Sequence, residues 1–156
     1  MNVLVTGGTG FVGGAIVRAL IKQGTQVRVL ARSTSKTDHL SALGVEIAQG
    51  DILDQASIEV ALEGCDTLYH AAALYDLWGL NEQVLMRTEI EGTRCALEAA
   101  TKIGVDRVIY TSTALTVGEG RGEVGTETMQ HRGYFLSKYE QAKFEAEEVA
   151  MSYLEK

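Results

Sequence analysis

Three glycines, Gly7, Gly10 and Gly13, follow the apolar run Val3-Leu4-Val5 in this 156-residue chain, and their spacing suits the binding of an anion. A pyrophosphate is held by main-chain N–H groups at a helix N-terminus, where unpaired donors and the positive end of the helix dipole attract it. Any Cβ there would hold it off. Gly7 is expected in a tight turn with positive φ, Gly10 where the backbone meets the phosphates, and Gly13 where the helix packs on the strand. Phe11 and Val12 contribute the backbone between them. The series Phe11, Val12, Ile16, Val17, Leu20 then takes up helical spacing. A turn of this kind predicts a bound dinucleotide. The alternative, a turn that only connects strand and helix, leaves unexplained the charge that follows one βαβ unit later.

A second set of residues could move a proton. Tyr134 and Lys138 are four apart in a segment expected to be helical over 134–155, so an ammonium would lie near a phenol on one helix face. That arrangement favours the phenolate and draws a tyrosine pKa of about 10 toward neutrality, where the side chain can exchange protons at physiological pH. Thr113 offers a hydroxyl to hold a substrate oxygen beside it. The same spacing recurs in Tyr139 and Lys143. Tyr139 falls in an apolar stripe with Phe135, Ala142, Ala146, Val149 and Tyr153, which assigns it to packing and leaves Tyr134 as the expected acid/base.

The remaining candidates follow the ends of the other apolar runs. After Gln26–Ala31, where a carboxylate would accept from the ribose hydroxyls of NAD, stands Arg32, with Ser33, Ser35 and Lys36 close behind. A guanidinium pairs with a 2′-phosphate, so NADP is favoured and NAD remains an alternative. An ordinary solvated loop charge is the competing reading of Arg32. Asp51, with Ile52 beside it, is placed to meet adenine, while Asp54 suits the cap of the next helix. In His70-Ala71-Ala72-Ala73 the small side chains of Ala71 and Ala72 leave room for the cofactor to cross, and His70 is read as structural. Tyr75 and Trp78 either line a substrate pocket or pack a loop onto the core.

Short apolar runs alternate with helical patterns along the whole chain. Strands are expected at 2–6, 26–31, 45–48, 66–69 and 107–111, and helices at 11–23, 35–42, 55–63, 81–103 and 134–155. This predicts an α/β fold, a doubly wound parallel sheet forming one dinucleotide-binding domain over 1–156. An apolar content of 46% with 22% charged residues suits a globular chain. The absence of a signal-like or long apolar segment predicts a cytoplasmic protein without a membrane partner. A net charge of −7 argues against nucleic acid. Cys65 and Cys95 lack metal-ligand spacing and are expected as reduced thiols, so no metal site is predicted.

Taken together, Thr6-Gly-Gly-Thr-Gly-Phe-Val-Gly13, Tyr69-His-Ala-Ala72, Glu91-Gly-Thr93, Thr111-Ser-Thr113 and Tyr134-Phe-Leu-Ser-Lys138 resemble, in order, the motifs of extended short-chain dehydrogenase/reductases of the NAD-dependent epimerase/dehydratase type. Within that group the Ala73-to-Trp78 stretch is similar to dihydroflavonol-reductase-like proteins and hopanoid-associated sugar epimerases. The resemblance implies a Rossmann fold with pyrophosphate on Gly7, Gly10 and Gly13, the 2′-phosphate on Arg32 and adenine on Asp51. It makes Thr113 the catalytic hydroxyl, Tyr134 the general acid/base and Lys138 the anchor of the nicotinamide ribose. The substrate it implies is a small molecule, a nucleotide sugar or a carbonyl compound. Two positions depart from the pattern: Glu89 replaces an asparagine, and Thr113 a serine. Family members also run further, so the chain is expected to be truncated before the substrate region, inactive by itself, and prone to pair with another copy as a homo-oligomer. The rival expectation is a cofactor-binding or redox-sensing module without turnover.

Overall fold

Val3 and Val5 bury against one set of partners and Leu4, between them, against another, the period-two pattern of a strand covered on both faces. The computed structural model, which describes residues 1–74, 81–118 and 124–154, places this strand at the centre of a five-stranded parallel sheet. The strands are β1 (Asn2–Thr6), β2 (Gln26–Ala31), β3 (Glu46–Gln49), β4 (Thr67–His70) and β5 (Arg107–Tyr110), in the spatial order β3-β2-β1-β4-β5. On one face Val3 and Val5 join Val17, Leu20, Val29 and Leu40. On the other, Leu4 joins Ile58, Leu62, Leu68 and Ala96.

The helices are α1 (Phe11–Lys22), α2 (Asp38–Ser41), α3 (Gln55–Leu62), α4 (Glu82–Ile103) and α5 (Lys138–Met151), with a 3-10 turn at Ala114–Thr116. The doubly wound sheet read from the sequence is thus observed. Thr6 is in register with Leu30 on one side and His70 on the other, so the carboxyl ends of β2, β1 and β4 lie level. The chain order reverses between β1 and β4, which opens a crevice above that point.

The last helix corrects an expectation. It starts at Lys138, four residues later than the pattern suggested, because Ser137 caps it in an extended conformation (φ −149°) and accepts a hydrogen bond from the Glu140 N–H at 3.1 Å. Tyr134 therefore precedes the helix. The helix expected at 35–42 contracts to the four residues of α2. Tyr75 and Trp78 lie outside the described residues. Among the described residues, no helix is long and apolar enough to cross a membrane.

Candidate cofactor cleft

A cleft of about 800 Å³ opens at the carboxyl ends of the strands, with the glycine turn as its floor. Gly7 has φ +72°, and a Cβ there would stand 2.6 Å from the Ala71 carbonyl and the Ala72 nitrogen. The turn after β1 thus touches the chain leaving β4 backbone to backbone. A Cβ on Gly13 would stand 2.2 Å from the Gly7 oxygen, so the first turn of helix α1 packs directly on the chain leaving β1. Gly10 caps α1 with no side-chain hydrogen bond, whereas Asp54, Asn81 and Ser137 cap α3, α4 and α5 with theirs. The first N–H groups of α1 are left to the cleft, which Gly10, Phe11, Val12 and Gly13 line. Free N–H groups at a helix N-terminus are the kind of site that favours an anion.

Along one wall lie Arg32 and Ser35, joined by a turn in which the Ser35 N–H donates to the Arg32 carbonyl at 2.9 Å. No carboxylate occupies the place of Arg32 at the end of β2. Asp51 and Ile52 also line the cleft. The Asp51 carboxylate accepts from the Leu53 N–H at 2.9 Å, and Asp54 caps α3 through the Ser57 N–H. Ile52 is backed by helix α4: a Cβ on Gly92 would meet its Cδ1 at 2.8 Å. Ala71 and Ala72 form part of the same wall as the glycine turn.

Behind the cleft runs a buried polar network. His70 is fully enclosed, with Nδ1 2.8 Å from the Thr6 hydroxyl and Nε2 3.4 Å from that of Thr93. Burial, reinforced by the Lys143 charge, pushes its pKa down to about 4, so it is a neutral structural group at pH 7. Burial also pushes the Tyr110 phenol up to about 12. Lys143 lies 5.1 Å from the Tyr110 ring, donates to the Thr111 carbonyl at 3.2 Å and pairs with Glu89 at 3.3 Å. Glu89 also accepts from the Leu74 N–H. The Ser112 hydroxyl donates to Glu147.

Of the two tyrosine–lysine pairs, Tyr139 and Lys143 line the cleft together. Tyr134 and Lys138 are not brought onto one helix face: Tyr134 is 60% exposed in the segment before α5, and Lys138 pairs in solvent with Glu82 at 2.8 Å. Thr113 caps the 3-10 turn, its hydroxyl accepting from the Leu115 N–H at 3.4 Å, while Thr111 and Ser112 line the cleft. The start of α5 carries a sequence signal. Ser137-Lys-Tyr-Glu140 is a capping-box pattern, and it starts the helix after Tyr134.

The model of the 3-beta hydroxysteroid dehydrogenase/isomerase family matches residues 4–153. The chain is 42% identical over 118 residues to sterol demethylase protein B of Methylococcus capsulatus, covering 76% of this chain and 36% of that protein. It is 34% identical over 157 residues to a 3-beta-hydroxysteroid dehydrogenase of Mycolicibacterium neoaurum, covering 96% and 42%. A crystal structure of Thermus thermophilus UDP-glucose 4-epimerase in complex with NAD superposes with a TM-score of 0.83 at 31% identity, covering 98% of this chain and 50% of that one. The chain spans less than half the length of these two curated relatives.

Proposed function

The chain belongs to the 3-beta hydroxysteroid dehydrogenase/isomerase family, and from that membership we propose that it binds a nicotinamide dinucleotide and serves hydride transfer to or from a carbonyl compound or its alcohol. The observation that carries this reading is the joint lining of one cleft by the glycine turn, Tyr139 and Lys143. Gly7, Gly10 and Gly13, with the backbone of Phe11 and Val12, hold the pyrophosphate. Asp51 and Ile52 meet adenine, and Ala71 and Ala72 flank the crossing. Arg32 and Ser35 hold a 2′-phosphate, which makes NADP the preferred cofactor over NAD.

The nicotinamide ring, when bound, supplies the hydride or accepts it. Tyr139 removes the hydroxyl proton as the alcohol carbon loses hydride, and returns a proton to the oxygen when a carbonyl is reduced. Lys143 supports the charge on the phenolate and anchors the ribose. Thr113, with Ser112 next to it, positions the substrate oxygen. Tyr139 and Lys143 take the place of Tyr134 and Lys138 in this scheme, a choice supported by the exposure of Tyr134 and by the exposed pair of Lys138 with Glu82.

A second reading is epimerisation of a nucleotide sugar, in which the ketone formed by the same first step is reduced again on its other face. The structural likeness to UDP-glucose 4-epimerase favours it. Fluorescence titration with NADPH and NADH tests the common part: saturable binding that prefers NADPH, with the preference lost in Arg32→Ala, is expected. Preference for NADH overturns the role of Arg32, and failure of both cofactors to bind overturns the cofactor reading. Net oxidation of added NADPH by carbonyl compounds then separates a reductase from an epimerase, which consumes none. Binding without either reaction identifies a module without turnover.

A further inference from the structure

Glu89 has no part in the hydride-transfer scheme, yet its side chain is 1% exposed and faces the 3%-exposed lysine of the cleft. An ammonium at that depth has lost most of its water, and the partners that compensate it are the Glu89 carboxylate and the Thr111 carbonyl. The second Glu89 oxygen takes the Leu74 N–H, and Leu74 is itself part of the cleft wall. Three elements are thereby joined at one carboxylate: helix α4, helix α5 and the chain leaving β4.

Further ionisable groups face this pair from the neighbouring elements. His70 on β4 and Tyr110 on β5 are both neutral at pH 7. Glu147, one turn beyond Lys143 on α5, is engaged by the Ser112 hydroxyl. Tyr139 shares the cleft with Lys143, one turn before it on the same helix.

Resting on the reading of Tyr139 and Lys143 as the proton-transfer pair, we propose that Glu89 is its positioning residue: it holds Lys143 against Thr111 and offsets its charge, restraining the lysine's effect on the Tyr139 phenol. A lone ammonium beside a phenol stabilises phenolate, and a carboxylate on that ammonium weakens the effect. Because the same carboxylate holds the Leu74 N–H, anything that moves the wall at Leu74 also loosens this restraint. Occupation of the cleft is the event that would do so, and the phenol then becomes a stronger acid with a ligand in place.

The test is a pH titration of the chain labelled with fluorotyrosine and followed by fluorine NMR, with the Tyr139 resonance assigned through Tyr139→Phe. Glu89→Gln keeps an oxygen for the Leu74 N–H and removes the charge, so the Tyr139 midpoint should move to lower pH. Lys143→Met should move it to higher pH. A raised midpoint in Lys143→Met with no change in Glu89→Gln overturns the role of Glu89 alone. No change in Lys143→Met overturns the pairing of Tyr139 with Lys143 itself. A further measurement needs no substitution at Glu89: the Lys143 ammonium of the unsubstituted chain, assigned by its loss in Lys143→Met, should exchange slowly with water. Rapid exchange would overturn the proposal.

Discussion

Helix α1 through its first residues and helix α5 through Tyr139 and Lys143 line the same cleft, and the two are finished in opposite ways. Helix α1 begins at Gly10 with no side chain closing it, so its terminal N–H groups are available to a ligand. Helix α5 begins at Ser137, whose hydroxyl takes the Glu140 N–H, while Glu140 takes the Leu136 N–H and is held in turn by Arg132 and His131. One end is a backbone device that a ligand completes. The other is complete already, and its work is to fix the rotation of the helix. That rotation turns Tyr139 and Lys143 inward.

The largest way to break the closed end is to remove its inward charge. Lys143→Met leaves Glu89 buried without its partner and should destabilise the protein by about 3–5 kcal/mol in urea unfolding. The outward lysine gives the contrast: Lys138→Met, which removes the exposed pair with Glu82 and a long hydrogen bond to Gln141, should cost less than about 0.5 kcal/mol. At the open end, Gly13→Val forces a side chain onto the Gly7 carbonyl. A loss of about 1–3 kcal/mol or more is expected, together with loss of measurable NADPH binding.

The buried network behind the cleft is sensitive to pH through His70. Its folded pKa of about 4 lies below the ordinary value of 6.5, so the unfolded chain takes up the proton first as pH falls. Stability should be full above about pH 6.5 and decline by about 3 kcal/mol toward pH 4. Urea midpoints measured across that window check this, and His70→Asn should remove the contribution. The smallest effect sharpens the contrast between caps. Ser137→Ala should cost about 1 kcal/mol and lower NADPH affinity only through the loosened first turn of α5, whereas a glycine already caps α1 without loss.

The sheet and the glycine turn were legible in the sequence because both are written in local signals. Runs such as Val3-Leu4-Val5 and Gln26–Ala31 carry strand and burial in adjacent residues, and the glycines mark where a Cβ has no room. The two tyrosine–lysine pairs were not separable by spacing, since both are four apart. What separates them is the start of the helix, set by Ser137 and Glu140. The apolar stripe is mixed in the structure: the helix that buries Ala142 and Ala146 also buries Lys143. A lysine with a carboxylate and a carbonyl waiting for it can occupy a packing face, so burial there did not exclude chemistry. The partner that makes this possible, Glu89, stood out in the sequence as a departure from an asparagine, but it lies 54 residues away along the chain and nothing local showed that it would meet Lys143.

Glu89 and Gly92 stand one turn apart on α4, the first holding Lys143 and the second backing Ile52. The helix therefore works as a crossbar between the Ile52 end of the cleft and its Lys143 end. A load applied at either end is shared by the other, and the affinities of the two halves of a dinucleotide should not simply add. A ligand held beside Ile52 alone would then already stiffen the seat of Lys143.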